Sequence, residues 1–365
     1  MRLVNVNYID VEQYEYYVGR PIYDGGTLLL KSNLKLTTSY VELLLKKGIE
    51  YIYVEDKVSE GIDIEETLPM ESHQKFKGVI KEQFEKVKEK KGTGVSLNIM
   101  SQTVDELLDI IAGKKDLTYS VSKLRDKDDY IYEHSIHVAA SCAYLGILLK
   151  YDRSKLYQLV LGAFFHDIGK IFLDKKLFNR DSNLTVEEKM EIQKHPELGY
   201  RYVTDRIGDA MPVPSKQVIL QHHERWDGNG YPNQLTAGRI YEMARICSIC
   251  NVFDKLTVPG SRQRLVPEYL AAEYLYSMGD SEFDHKLVNV FLSKLIKYKE
   301  GTLVKMTDKS KGIVYAQNKG TLERPVIRIL IDKDGKSMKS TGSFRDLSEE
   351  KTLFIEKSID SLVEN

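Results

Sequence analysis

Two short stretches hold the side chains with the most chemical capacity. In AFFHDIGK, His166 and Asp167 are adjacent, and Lys170 follows one helical turn after His166. An imidazole, a carboxylate and an ammonium can therefore reach one point. In QHHERWDGNGYP, His222 and His223 close an apolar helix (VILQ) ahead of a glycine-rich loop. The glycines permit the backbone turns there, and Pro232 fixes the exit. Consecutive helical residues differ by about 100° in direction, so both imidazoles serve one site only where a helix ends or the site is wide. Two metal ions roughly 3.5–4 Å apart make a wide site. The chain has 8 His, and six of them (His134, His137, His166, His195, His222, His223) lie between positions 134 and 223. One His on an apolar helix is usually a packed core residue. Imidazoles that converge with Asp suit iron, manganese or zinc.

The elements that would position these groups are helical. From about Thr103 to Lys297 apolar residues recur at helical spacing, with Val138, Ala139, Cys142, Leu145 and Leu149 on one stripe and Leu156, Val160, Ala163 and Phe164 on another. Residues 1–60 read as a small α/β accessory domain. A Gly25-Gly26 turn separates β-prone pieces, a helix over Thr38–Lys47 stops at Gly48, and IEYIYVED is strand-like. Residues 61–115 read as a charged helical linker, with Val79, Ile80, Phe84 and Val87 at helical spacing and the charges as a solvated face. Residues 116–300 form the helical bundle, and residues 301–365 a β-rich appendage of short runs (TLVKM, GIVYAQ, PVIRILID) parted by turn-prone stretches. The expected fold is mainly α, with a small domain at each end.

Composition narrows the function classes. Lys plus Arg is 53 against 54 Asp plus Glu, so the formal charge is -1, which argues against a chain that wraps DNA. With 3 Cys no disulfide framework is implied, which suits a reducing cytoplasm. Cys247 and Cys250 form a C-x-x-C inside a helical stretch and read as core. The longest near-apolar run, Val138–Leu149, has about 12 residues and is too short to cross a bilayer.

HDIGK followed at this distance by HHERWDGNGYP resembles the HD-GYP family of the HD phosphohydrolase superfamily. YEHSIHVA, KHPELGY, ARICSICNVFDKLT and EFDHKLVNVF resemble further segments of that family, so the likeness spans about residues 115–300. The resemblance implies a helical HD-superfamily bundle that hydrolyses cyclic di-GMP to the linear dinucleotide and on to GMP, with two divalent transition metals, iron or manganese. Carried over by motif, His134, His166 and Asp167 would hold one metal. Asp167, His195, His222 and His223 would hold the second, with Asp167 bridging. Lys170 would steady a phosphate oxygen or the developing charge, and Tyr231 would help shape the pocket. Arg262 would grip substrate, with Arg264 sharing the role. A homodimer is an assembly this reading allows.

Three positions depart from the family pattern. The closing helix normally carries a metal-binding Asp 29 residues beyond the first His of the HH pair, and here that position is Asn251. Asn keeps an oxygen donor and loses the charge, which weakens the first metal site. Asp254, three residues on, corresponds to the family's second Asp rather than to the ligand. Around Arg262 and Arg264, SRQRLVP replaces the usual segment. Tyr130 stands where members with a third metal carry Glu, so two metals are expected at most. His137 shares a face with His134 and reads as structural. The alternatives are a degenerate member that binds a cyclic dinucleotide or a partner with little turnover, and a phosphodiesterase for another cyclic dinucleotide such as cyclic GMP-AMP.

Overall fold

The computed structural model describes residues 1–24, 27–64, 67–88, 94–114, 129–177, 184–258, 266–318, 320–338 and 343–362. Two compact units emerge, one made of residues 1–65 with 296–365, the other of residues 66–295.

In the first unit, β1 (Arg2–Asn5), β2 (Tyr17–Val18), β3 (Ile22–Asp24), β4 (Thr27–Leu30), α1 (Thr38–Lys46) and β5 (Tyr51–Glu55) make up the N-terminal part. β1, β5 and β2 form an antiparallel sheet in that order, and β3 pairs with β4. Thr37 caps α1, and Gly48 supplies the left-handed φ of +68° just beyond it. Val6, Val18, Leu44, Ile52 and Val54 are fully buried between these elements.

The helical unit begins with α2 (Met70–Lys88) and α3 (Leu97–Ala112), followed by α4 (Tyr130–Leu148), α5 (Arg153–Phe165), α6 (Val186–Ile192), α7 (His195–Arg206), α8 (Val213–Gln221), α9 (Glu242–Thr257), α10 (Glu268–Ser277) and α11 (His285–Leu292). The stretch read as a solvated linker is corrected here. Phe76, Ile80 and Phe84 on α2 and Val104, Leu107 and Ile111 on α3 lie in the main core. Lys77 is itself buried, 3.0 Å from Asp129 and 2.9 Å from Glu133 at the start of α4. An apolar stripe on a charge-rich helix is enough to draw it into a core when a partner face exists. α4 is buried from Tyr132 to Gly146 on every side, which marks it as the central helix. It packs on α5, α9, α2 and α3.

The remaining strands return to the first unit. β6 (Leu303–Met306), β7 (Lys311–Ala316), β8 (Val326–Ile331), β9 (Phe344–Asp346) and β10 (Ile355–Ser358) form an antiparallel sheet in the order β10-β6-β7-β8-β9. Its core holds Val304, Met306, Val314 and Ile327. The expected appendage is therefore joined to the N-terminal part in one unit. The Arg328 guanidinium donates to the carbonyls of Val58 and Glu60.

Candidate metal centre

Three of the motif histidines sit where a helix begins or ends. His166 follows the last residue of α5, His222 follows the last residue of α8, and His195 opens α7 just after α6 has closed at Ile192. Carbonyls in such turns lack a full set of intrahelical donors. Each imidazole uses one: Nδ1 of His166 donates to Ala163 O (2.7 Å), His195 to Ile192 O (2.7 Å) and His222 to Ile219 O (2.9 Å). His134, in mid-helix on α4, donates from Nδ1 to Asp254 Oδ2 at 2.5 Å. In all four rings Nδ1 is thus occupied and Nε2 is turned inward with a free lone pair, the arrangement that orients a metal-binding histidine.

A glycine brings two of these groups together. At Gly169, in the HDIGK turn, a Cβ would lie 1.9 Å from His195 O and 2.7 Å from Gly199 N. Only a residue without a side chain lets the His166-Asp167 turn rest on the start of α7. On the other side, a Cβ at Gly230 would lie 2.3 Å from Arg225 N and 2.6 Å from Glu224 Cα. Buried Glu224 accepts from Asn233 N (2.7 Å) and Leu235 N (2.9 Å) and so ties the glycine-rich loop down.

The donor atoms converge on Asp167. Its Oδ2 lies 3.5 Å from His134 Nε2 and 3.4 Å from His166 Nε2, and its Oδ1 lies 3.2 Å from His195 Nε2 and 3.8 Å from His222 Nε2. Two groups could each hold a cation: His134, His166 and Asp167, and Asp167, His195, His222 and His223. His134, His166, Asp167 and His222 are completely buried. His223 stacks on Tyr231, with ring centroids 4.6 Å apart. Lys170 Nζ is 2.5 Å from Asp167 Oδ2. Asn251, also completely buried, presents Oδ1 2.9 Å from His134 Nε2, while its Nδ2 has no hydrogen-bond partner. Arg262 and Arg264 lie outside the described residues.

The electrostatics bear on what these atoms can hold. Nε2 of His166 faces Nε2 of His134 at 3.2 Å, and Nε2 of His195 faces Nε2 of His222 at 3.2 Å. Lone pairs so close repel unless a cation lies between them. A proton can serve the first pair, because the neighbouring Asp167 carboxylate outweighs burial and raises His166. Burial disfavours one at the second. Burial pushes His195 down, and burial with the other imidazoles pushes His222 well below the usual range. Burial likewise takes His134 down to about 3 and lowers His223. Burial alone would raise Asp167, but Lys170 and His166 hold it well below the ordinary carboxylate range, so it is ionised. A buried carboxylate among neutral imidazoles fits divalent transition ions.

Asp254 acquires a role that sequence reasoning missed. Asp254 accepts from His134 through Oδ2, and its Oδ1 lies 3.1 Å from His137 Nδ1. Asp254 therefore orients a donor, and His137 holds Asp254. The signal was in the spacing, since Asp254 is three residues beyond Asn251 and His137 three beyond His134. It becomes readable only when α4 and α9 are placed together. Lys255, one residue further and partly buried, is pushed down to about 8 by burial and by Lys170.

Comparisons with known proteins agree with this geometry. Residues 108–287 match the HD domain family, and residues 303–362 match the KOW domain associated with HD domain. A cyclic di-GMP phosphodiesterase of Pseudomonas aeruginosa is 29% identical over 248 residues, which is 67% of this chain and 58% of that protein. The cyclic di-GMP phosphodiesterase response regulator RpfG of Xanthomonas campestris is 31% identical over 161 residues, 44% of this chain and 41% of that one. A 3'3'-cGAMP-specific phosphodiesterase of Vibrio cholerae is 26% identical over 198 residues, 54% of this chain and 38% of that one. The chain thus spans 58% or less of each of these relatives. With the His166-Asp167 pair and the Gly230-Tyr231-Pro232 loop both beside one donor set, the match places residues 108–287 in the HD domain family, of the HD-GYP type.

Proposed function

We propose that the helical unit is a metal-dependent phosphodiesterase acting on a cyclic dinucleotide, cyclic di-GMP first among them. One observation carries the reading: the two oxygens of Asp167 divide between two pairs of inward-facing imidazoles, as a carboxylate shared by two ions would require. His134 and His166 would hold one ion with Asp167 and the Asn251 oxygen. His195, His222 and His223 would hold the other with Asp167. When bound, such ions supply Lewis acidity and activate water for in-line attack on a phosphodiester.

The chain's own residues do the rest. Asp254 keeps the His134 ring aimed at the centre. Lys170 neutralises Asp167 and stands where charge grows on the phosphoryl oxygens during attack. Tyr231 braces His223 from the loop side. Iron or manganese suits the mixture of imidazole and carboxylate donors.

A second reading is favoured by Asn251. A neutral amide in place of a carboxylate leaves the first ion with a single anionic ligand, so the protein would bind the dinucleotide and turn it over slowly. Cyclic GMP-AMP is the other substrate to test, given the cGAMP-specific relative.

The test is direct. The protein is purified without oxygen, loaded with iron or manganese, and incubated with cyclic di-GMP and with 3'3'-cGAMP, and the products are separated by chromatography. Between one and two ions per chain and a linear dinucleotide product are expected. Asp167→Ala should lose both ions. Lys170→Ala should keep them and slow hydrolysis by roughly two to three orders of magnitude. A fully folded protein that stays metal-free after loading would overturn the assignment.

A further inference from the structure

Lys255 is a cation beside the centre with no carboxylate left to pair with among the described residues. On α9 it lies one turn beyond Asn251, so the two side chains share a helix face. Asn251 reaches His134 Nε2 at 2.9 Å, which fixes that face as the one toward the donor set. The charged and titratable groups that act on Lys255 include Lys170 on the HDIGK turn, Asp167 beside it, and Asp254 and Cys247 on α9 itself. Lys255 in turn acts on His222 and His223 at the end of α8.

Both neighbouring carboxylates are already committed. Asp254 gives one oxygen to His134 and the other to His137. Asp167 gives Oδ2 to Lys170, and its Oδ1 faces His195 and His222. Among the described residues no carboxylate comes within ion-pair distance of the Lys255 ammonium. A partly buried ammonium without a protein counter-charge is open to an incoming anion. The protein's own balance at the site is two carboxylates against two ammonium groups, and any divalent ion adds further positive charge. An anionic ligand suits that balance, and a cyclic dinucleotide brings two phosphodiester anions.

We propose that Lys255 is a substrate-contacting residue whose ammonium takes a phosphate oxygen of the cyclic dinucleotide, alongside Lys170. This rests on the phosphodiesterase reading and adds a residue that the motifs do not mark. Lys170 is bound to the shared carboxylate, so its charge is largely spent within the site. The charge of Lys255 is unspent until substrate arrives. Lys255 therefore contributes mainly to substrate affinity, and Lys170 mainly to rate.

The test uses the full-length, metal-loaded protein with Lys255→Met and Lys255→Arg. Methionine keeps the stem's bulk and removes a partly buried charge, so folding should be preserved. Cyclic di-GMP binding is followed by calorimetry, turnover by chromatography, and metal content by elemental analysis. For Lys255→Met, Kd and KM should rise about ten- to a hundredfold, as expected for one lost charge-assisted hydrogen bond. Its kcat should change by less than about threefold, and its metal content should equal that of the parent. Lys255→Arg should recover most of the affinity, because the charge persists. An active parent with unchanged Kd and KM in Lys255→Met would overturn the role of Lys255 alone. An altered metal content in Lys255→Met would also overturn it, by showing that the ammonium tunes the ions. A metal-loaded parent that neither binds nor cleaves cyclic di-GMP would overturn the substrate reading and the Lys255 assignment together.

Discussion

At the scale of single residues the centre is defined by which atom of each ring is left over. A backbone carbonyl fixes Nδ1 in three imidazoles and Asp254 fixes it in the fourth, so the ligand geometry is largely in place before any ion arrives. Asn251 is the weak member. Its oxygen faces a lone pair of His134, and its amide nitrogen finds no partner. Asn251→Asp should tighten the first ion by about tenfold or more, since affinity follows the charge of the ligands. A metal titration of parent and variant, read as stoichiometry and as hydrolysis rate, checks this. Unchanged binding and rate would mean that position 251 does not touch the ion. His166, Asp167, His195, His222 and His223 were legible in the sequence because two motifs held four of them side by side. Asp254 and Lys255 were not, because their neighbours come from other helices.

At the scale of elements the decisive feature is how closely the HDIGK turn rests on α7. The backbone of Gly169 occupies the space where any side chain would meet His195 O. Gly169→Ala should therefore push the His166-Asp167 turn away from His195, costing about 3 kcal/mol of stability and at least one of the two ions. Thermal melts and elemental analysis on the same preparation would show both effects, and a variant with full metal content would contradict the argument. Helix identity was legible wherever one face was apolar, as in α5. α4 was legible through its stripe of Val138, Ala139, Cys142, Leu145 and Leu149, but its burial on all sides was not. The burial of α2 was not legible. Its many Lys and Glu residues read as a solvated helix, whereas Lys77 enters the interior to pair with Asp129 and Glu133.

At the scale of the whole molecule the chain builds separate cores, one in residues 66–295 and two smaller ones in the unit made from residues 1–65 and 296–365. Ions bound at Asp167 stabilise only the unit that holds them. By mass action, free metal at 1,000 times its Kd adds about 4 kcal/mol to that unit. Calorimetry should therefore resolve two transitions, and a chelator should lower one and leave the other in place. A single transition that moves as a whole would show that the units unfold together. The division of one small unit between the two ends of the sequence also shapes how the protein is made. Residues 1–65 leave the ribosome before residues 66–295 and already contain β1, β5 and β2 with their own core. Arg328, which will close on the carbonyls of Val58 and Glu60, follows only after all of residues 66–295. At 5–20 residues per second that delay is roughly ten to fifty seconds. Throughout it those two carbonyls wait for Arg328, and the nascent chain carries part of a unit that later-made strands complete.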